Sequence, residues 1–377
     1  MSKIEIKEVE SSSELNKFIA FSDRLYKGNK YRVPQLHNFE KSTLSKKTNP
    51  AFDFCEARYW LAYNKDKIVG RIAGILNNKS NEIWNEKHVR FGWIDFVEDF
   101  EVAKALIGIV EKWAKSMNMH AVHGPLGFTD MDLEGMLVEG FDEIATQATL
   151  YNHSYYPQFM EKLGYKKDAD WIQHEINIPK EVPDRVKRIS DLVLKKYDLR
   201  ILDAKKSKDV IPYAKKMFTT LNEAFQHLYG YVALTDKQIE KYTKDYFSII
   251  DTKYLCIVLD KDDDVVGFGI SVLSLSKALQ KANGKLFPFG FIHILKALKK
   301  NDTVDILLQG VKPHYIKKGV AAVFYNKLMQ AYIDNNIKIA ITSHILEDNK
   351  NSHQMFDAYD TRQHLRRRIY IRHLQNN

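Results

Sequence analysis

Cysteine is nearly absent from this chain. The two present, Cys55 and Cys256, lie far apart with no CxxC spacing or His pairing, so neither a disulfide framework nor a zinc knuckle is expected. With only 17 Gly and 9 Pro among 377 residues, and 12% aromatics, a collagenous, low-complexity or disordered chain is excluded. No stretch reaches the roughly 18 to 20 uncharged apolar residues of a membrane span, and the start, MSKIEIKEVE, has no apolar signal core. A soluble cytoplasmic protein is therefore expected. His, Asp and Glu show no HExxH or other metal spacing, and no metal is expected. No RNP, zinc-finger or heptad-basic pattern occurs, so nucleic acid is not an expected partner.

What is present is an ordinary globular composition, 45% apolar and 28% charged, long enough for two domains or three. The net charge of +9 is uneven: residues 1–180 carry 24 Lys/Arg against 26 Asp/Glu, and the remainder 33 against 22. The whole positive excess sits in the second half. Solvated lysine-rich faces are the default reading, and an anionic partner is the alternative.

Periodicity gives an α/β order. A strand at Ile4, Ile6 and Val9 is followed by a helix started by Ser11–Ser13 and Glu14, with an apolar face at Leu15, Phe18, Ile19 and Leu25. Strands WLAYN, IVGRIAGIL and RFGWIDFV precede a helical pattern over 101–117; HAVHG, a helix from Tyr155 to Leu163 and the strand WIQHEINI complete the half. Pro179 and Pro183 then break the pattern, and a Lys-rich helix over 184–197 leads on. The same order recurs: strand 199–203, helices 207–228 and 236–249, strands YLCIVLD and VVGFGISVL, an insert, strand TVDILLQGV, helix 319–334, strand IKIAITSHI, helix 349–358 and strand RRIYIR. The expected division is an N-terminal domain over 1–180, a helical linker over 181–198 and a C-terminal domain over 199–377.

The segment DILLQGVKPHYIKKGVAAVFYNKLMQ carries the clearest chemistry. A strand ending near Val311, a turn with Pro313 and two lysines, and a helix opened by Gly319, Val320 and Ala321 form a candidate anion site, because the first amides of a helix are unpaired. Lys317 and Lys318 add charge. Close packing of a helix on a strand is the alternative use of these small residues.

This segment resembles the acyl-coenzyme A loop of the GNAT acyltransferase superfamily, which reads Arg/Gln, two variable residues, Gly, one variable residue, then Gly or Ala. Gly319 and Ala321 match, and Ile316 departs from the pattern. VKPHY is similar to the run leading into that loop, and Asn349 in EDNKNSHQMFDAY to the family's later helix-starting Asn. Seven residues on, where many members carry a proton-donating tyrosine, stands Phe356. The first half resembles a companion GNAT fold whose coenzyme loop is lost: its turn VEDFEVAK lacks glycine and carries Glu98, Asp99 and Glu101, although EKLGY keeps the family's helix ending. GPLGFTDMDLEGMLVEGFD with YNHSYY is similar to a bacterial tandem subfamily described as hypothetical acetyltransferases.

The resemblance implies two GNAT-like α/β domains in tandem, mixed sheets flanked by helices, and acetyl-CoA or another acyl-CoA as donor. It implies transfer of the acyl group to an amine, small-molecule or peptide, with a backbone amide near Val311 polarising the thioester. Asp305 is a candidate base, with a solvated strand residue as the alternative, and His314 and Tyr315 are near enough to act as base or acid, with a surface His and a packing Tyr as the alternative. Tyr151, Asn152, Tyr155 and Tyr156 are candidates for a substrate pocket, with buried, satisfied hydroxyls as the alternative. The insert GKLFPFGFIHILKALKK has three readings: a flap or pocket wall presenting Phe289 and Phe291 to the acceptor, a core helix, or a membrane-surface helix. A non-catalytic degenerate pair that binds a ligand or partner is the rival to the enzyme.

Overall fold

The computed structural model describes residues 3–247 and 250–375. The last two residues of the helix expected over 236–249 lie outside the described residues. In chain order the first elements are β1 (Glu5–Glu8), α1 (Ser12–Leu25), α2 (His37–Leu44), β2 (Cys55–Asn64), β3 (Lys67–Asn77), α3 (Asn78–Trp84), β4 (His88–Phe96), α4 (Phe100–Ser116), β5 (Ala121–Gly124), β6 (Met136–Glu139), α5 (Tyr155–Lys162) and β7 (Lys166–Asn177). There follow α6 (Asp184–Lys196), β8 (Arg200–Ile201), α7 (Ser207–Val210), α8 (Ala214–Phe225), α9 (Asp236–Tyr246), β9 (Leu255–Leu259), β10 (Val265–Leu273), α10 (Ser276–Ala282) and α11 (Gly290–Lys299). The chain ends with β11 (Thr303–Val311), α12 (Pro313–Ile316), α13 (Val320–Asp334), β12 (Ile339–Ile341), β13 (Ile345–Leu346), α14 (Lys350–Gln354) and β14 (Asp360–His373).

Local chemistry explains most of these bounds. α1 opens on a capping box: the Glu14 amide donates to the Ser11 hydroxyl at 3.2 Å, and the Ser11 amide to the Glu14 carboxylate at 2.9 Å. The helix expected over 207–228 is divided, with α7 and α8 separated by a short 3₁₀ turn through Pro212, whose ring and missing N–H interrupt the helical ladder. The helix expected over 349–358 is helical only through Gln354.

The chain forms two compact units: Met1–Ile172, Leu275–Ala297 and Leu365–Asn377 make one, and Gln173–Ser274 with Leu298–His364 the other. Each unit therefore draws on both halves of the sequence. In the first, β1, β2, β3 and β4 run antiparallel in order, β4 pairs in parallel with β5, and β5 pairs antiparallel with β14, Gly124 opposite Tyr370. The second repeats the plan, β8, β9, β10 and β11 antiparallel, β11 parallel to β12, and β12 antiparallel to β7, Ile341 opposite Glu175. The closing strand of each sheet comes from the other half of the chain.

In the first unit α4 lays Val102, Leu106, Val110 and Trp113 on one sheet face, while Phe18 and Ile19 of α1 pack with Leu61, Ile75 and Phe128 in a second cluster. Leu279 of α10 is buried with Val33 and Ala145, so the first part of the insert is core of this unit. In the second unit Val320, Val323, Phe324 and Leu328 of α13 form the core with Val258, Val266, Ile306 and Val193. Burying side chains of this size stabilises each unit by about 1.5–3 kcal/mol per residue.

Candidate active site

In the second unit the register of β11 against β10 shifts between Ile270 and Ser271, so one residue of β11, Leu307, bulges. The parallel pairing of β11 with β12 ends at Asp305 and Ile341, after which the Thr342 amide turns away to donate to the His174 carbonyl at 2.9 Å. The two strands part, and among the described residues β11 has no paired neighbour along that edge from Ile306 to Val311. At the end of β11 the chain makes the short helix α12 and then starts α13.

Gly319 stands at the N-cap of α13 in the left-handed region, φ +80°, and no side chain caps the first amides. A residue with a Cβ would be strained there. The α13 start thus presents unpaired N–H groups and the positive end of a long helix, as an anion site requires. Lys317 is exposed, and the Lys318 ammonium lies over the rings of Tyr315 and Tyr197, 4.2 and 5.1 Å from their centroids. Lys312 is paired with Asp264 at 2.5 Å. Val311, opposite Gly267, and Val320 and Ala321 flank the turn. Asn349 caps α14, its side chain accepting from the Ser352 amide at 3.3 Å.

Asp305 is 2% exposed. Burial pushes its pKa up to about 7, and the neighbouring Ser274 hydroxyl offsets this only in part. His314 is exposed, with its ring 4.2 Å from that of Tyr315. Tyr315 is half-buried, and desolvation raises its pKa. Phe356 is buried against Tyr325 and His174, while the Tyr359 hydroxyl, one turn further on, is buried without a hydrogen bond and pushed by burial up to about 12.

The corresponding turn of the first unit is closed to an anion. Asp99 caps α4 by accepting from the Glu101 amide at 2.9 Å, so carboxylates occupy the helix start. The gap after β4 and β5 is filled as well: beyond the Arg90–His123 pair, the Leu126 amide donates to the Phe91 carbonyl at 2.8 Å, and the Arg90 guanidinium to the Gly127 carbonyl at 3.1 Å.

Instead this unit holds a buried polar network. The Arg71 guanidinium donates to Asp95 and to Glu40, each at 2.8 Å; the Tyr26 hydroxyl donates to Asp95 at 2.8 Å and lies 3.1 Å from the Tyr156 hydroxyl. Tyr151, Asn152 and Tyr156 come together with Trp93 and Asp95 around a cavity of ≈ 20 Å³, room for about one water. Their polar atoms are spoken for. Asn152 accepts from the Leu137 amide at 2.6 Å and donates to its carbonyl at 3.1 Å; Tyr151 and Tyr155 donate to the Phe141 and Phe96 carbonyls at 3.1 and 2.7 Å. Phe289 and Phe291 are 69% and 38% exposed and do not line this cavity. Sequence reasoning missed Arg71 and Asp95, although a lone charge inside an apolar run, as in IVGRIAGIL and GWIDFV, was a signal.

No family model matches the chain. Protein YghO of Escherichia coli (strain K12) is 26% identical over 369 residues, covering 96% of this chain and 93% of that protein. The bacterial ceramide synthase of Caulobacter vibrioides (strain NA1000 / CB15N) is 26% identical over 316 residues, 81% of this chain and 80% of that enzyme. Among solved structures, a tandem GNAT protein from the clavulanic acid biosynthesis pathway aligns over 100% of both chains with a TM-score of 0.57 and 10% identity. The fold is a tandem GNAT fold, as the sequence resemblance implied. Among the described residues no helix is long and apolar enough to cross a membrane.

Proposed function

We propose that this protein is an N-acyltransferase that moves an acyl group from coenzyme A to an amine, using the second unit for the donor. The observation that carries the reading is the uncapped start of α13 behind the left-handed Gly319, at the end of a strand that has parted from its parallel neighbour. The amine nitrogen attacks the thioester carbonyl, the C–N bond forms, the C–S bond breaks and coenzyme A leaves as the thiolate. Backbone N–H groups near Val311 polarise the carbonyl, and the amine proton passes to Asp305, whose pKa near 7 suits a base working at neutral pH. Phe356 gives no proton to the thiolate, so solvent supplies it. The name of the relative from Caulobacter vibrioides favours a long-chain amino alcohol as acceptor, since a ceramide is the amide of such an amine.

Calorimetric titration with acetyl-CoA and a long-chain acyl-CoA tests the donor assignment. Gly319→Glu, with bulk and negative charge at the turn, is expected to abolish binding. Lys317→Glu, free of backbone strain, is expected to weaken it, and Glu98→Gly in the first unit to leave it unaltered. Unchanged affinity in both second-unit variants would leave the non-catalytic binding protein as the better reading.

A further inference from the structure

The segment from Lys285 through α11 turns its apolar side chains to solvent. Phe287 is 75% exposed, Phe289 69%, Leu295 52%, and Phe291 and Ile292 38% each, whereas Ile294 faces the cluster of Val33 and Leu279. The rings of Phe287 and Phe291 lie against each other, centroids 5.8 Å apart and tilted by 39°, which joins the loop to the helix in one exposed aromatic pair. On α11 the residues Phe291 and Leu295 share one helical stripe, with Ile292 and Lys296 on its flank. Along the sequence of this segment the charge has a single sign. Between Asp264 and Asp302 the sequence holds no Asp or Glu and six lysines, Lys277, Lys281, Lys285, Lys296, Lys299 and Lys300, all exposed.

We infer that this patch docks on the surface of an anionic lipid bilayer. Exposed aromatics rimmed by lysines are the chemistry of an interfacial segment: the rings enter the boundary between headgroups and acyl chains, and each lysine adds attraction to anionic headgroups. A protein partner or a second copy of the chain would need a matching acidic rim, whereas a bilayer of anionic lipids supplies the negative charge everywhere. The geometry is also economical, because Phe287 and Phe289 lie on the loop Lys285–Phe289 ahead of the helix and contribute little to the core. The inference concerns where the protein works and stands apart from the donor assignment, since none of these residues belongs to the second-unit turn.

Co-sedimentation of the full chain with vesicles tests it. The wild-type protein is expected to partition onto vesicles of phosphatidylcholine with one quarter phosphatidylglycerol, and at least about tenfold less onto phosphatidylcholine alone or in high salt. The double variant Phe287→Ser/Phe289→Ser is expected to lose about tenfold or more of the partitioning, with an unchanged melting temperature as the folding check. Lys285→Glu/Lys296→Glu is expected to reduce binding to the anionic vesicles only. Equal partitioning of wild type and the aromatic variant, or absence of wild-type binding to anionic vesicles, would overturn the inference. So would light scattering that shows a dimer for the wild type and a monomer for the aromatic variant, because the patch would then be a self-interface.

Discussion

Arg90 and Asp305 hold the same sheet position in the two units. Each is the last residue of its strand in register with the parallel neighbour, Arg90 opposite His123 and Asp305 opposite Ile341. Beyond this point the units diverge. Arg90 donates to the Gly127 carbonyl and to the Ser80 hydroxyl, at 3.1 and 2.9 Å, and so pins the segment that fills the gap. Asp305 holds no such segment, and among the described residues its strand has no paired neighbour on that edge beyond this point. The same sheet position thus holds a segment-pinning arginine in one unit and a buried carboxyl with a raised pKa in the other.

The poised carboxyl makes a pH prediction. With Asp305 at about 7 in the folded protein against 3.8 for an unperturbed aspartate, kcat/KM is expected to rise with pH through about 7 as the carboxylate forms. Asp305→Asn is expected to remove that inflection and lower kcat by about 10²–10⁴-fold. The stability effect runs the other way. Between the unfolded and folded values the native state binds the extra proton, so stability falls as pH rises from about 4 to about 7 and is level above. Denaturation of Asp305→Asn should show the high-pH stability recovered by a few kcal/mol, the order implied by such a shift.

The interleaved units make a second prediction. Residues 1–180 lack β14 and the helices of the insert, so the first unit would lose Tyr370 and Leu279 from its clusters. Asp170, whose carboxylate accepts from Arg368 at 2.8 Å and Arg366 at 3.1 Å, would be left with only the Lys167 ammonium at 3.3 Å. Removing partners from a buried charge costs up to about 3–5 kcal/mol, a large part of a domain's stability. The fragment is expected to bind a hydrophobic dye and to melt without a cooperative transition, and co-expression with 181–377 to restore both. A soluble fragment with a sharp calorimetric melt would show that the exchanged strand is dispensable.

The polar network of the first unit makes a third. Arg71 is fully enclosed by Asp95 and Glu40, and these two carboxylates hold its guanidinium pKa well above the usual arginine value against the cost of burial. Asp95→Ala leaves the guanidinium with one carboxylate and frees the Tyr26 hydroxyl, so urea denaturation is expected to show a loss of about 3–5 kcal/mol. Acyl-CoA affinity of the folded fraction should not change, because the network lies in the first unit.

Much of this was legible in the chain. Alternation and helical spacing locate most strands and helices, Ser11 and Glu14 mark a helix start, and the contrast between KKGVA and EDFEVAK separates the open turn from the closed one. The short elements α2, α3 and β6 were not legible, since four to eight residues with mixed polarity carry no clear period. Nor was the exchange of closing strands: WIQHEINI and RRIYIR each announce a strand, but partner choice is set by long-range packing that local pattern does not encode. The exposure of Phe289 and Phe291 was hidden for the same reason, because an apolar run reads alike whether it faces a core or solvent.

The last prediction concerns the closed gap of the first unit. A Cβ added at Gly92 would stand 2.4 Å from the Leu126 carbonyl oxygen, a backbone atom that cannot swing aside as a side-chain tip would. That carbonyl belongs to the segment held by the Leu126–Phe91 bond at 2.8 Å and the Arg90–Gly127 bond at 3.1 Å. Gly92→Ala therefore has to push the segment out and stretch both bonds, a crowding that costs about 1–3 kcal/mol. The neighbouring Trp93, at φ +44°, leaves the strand little freedom to yield instead. Thermal melts are expected to show a clear loss of stability, and hydrogen exchange to show the Leu126 amide losing protection before the amides of β3. If the Leu126 amide keeps its protection in the variant, the segment is not what closes the gap, and the absence of a donor site from this unit would rest on the acidic cap of α4 alone.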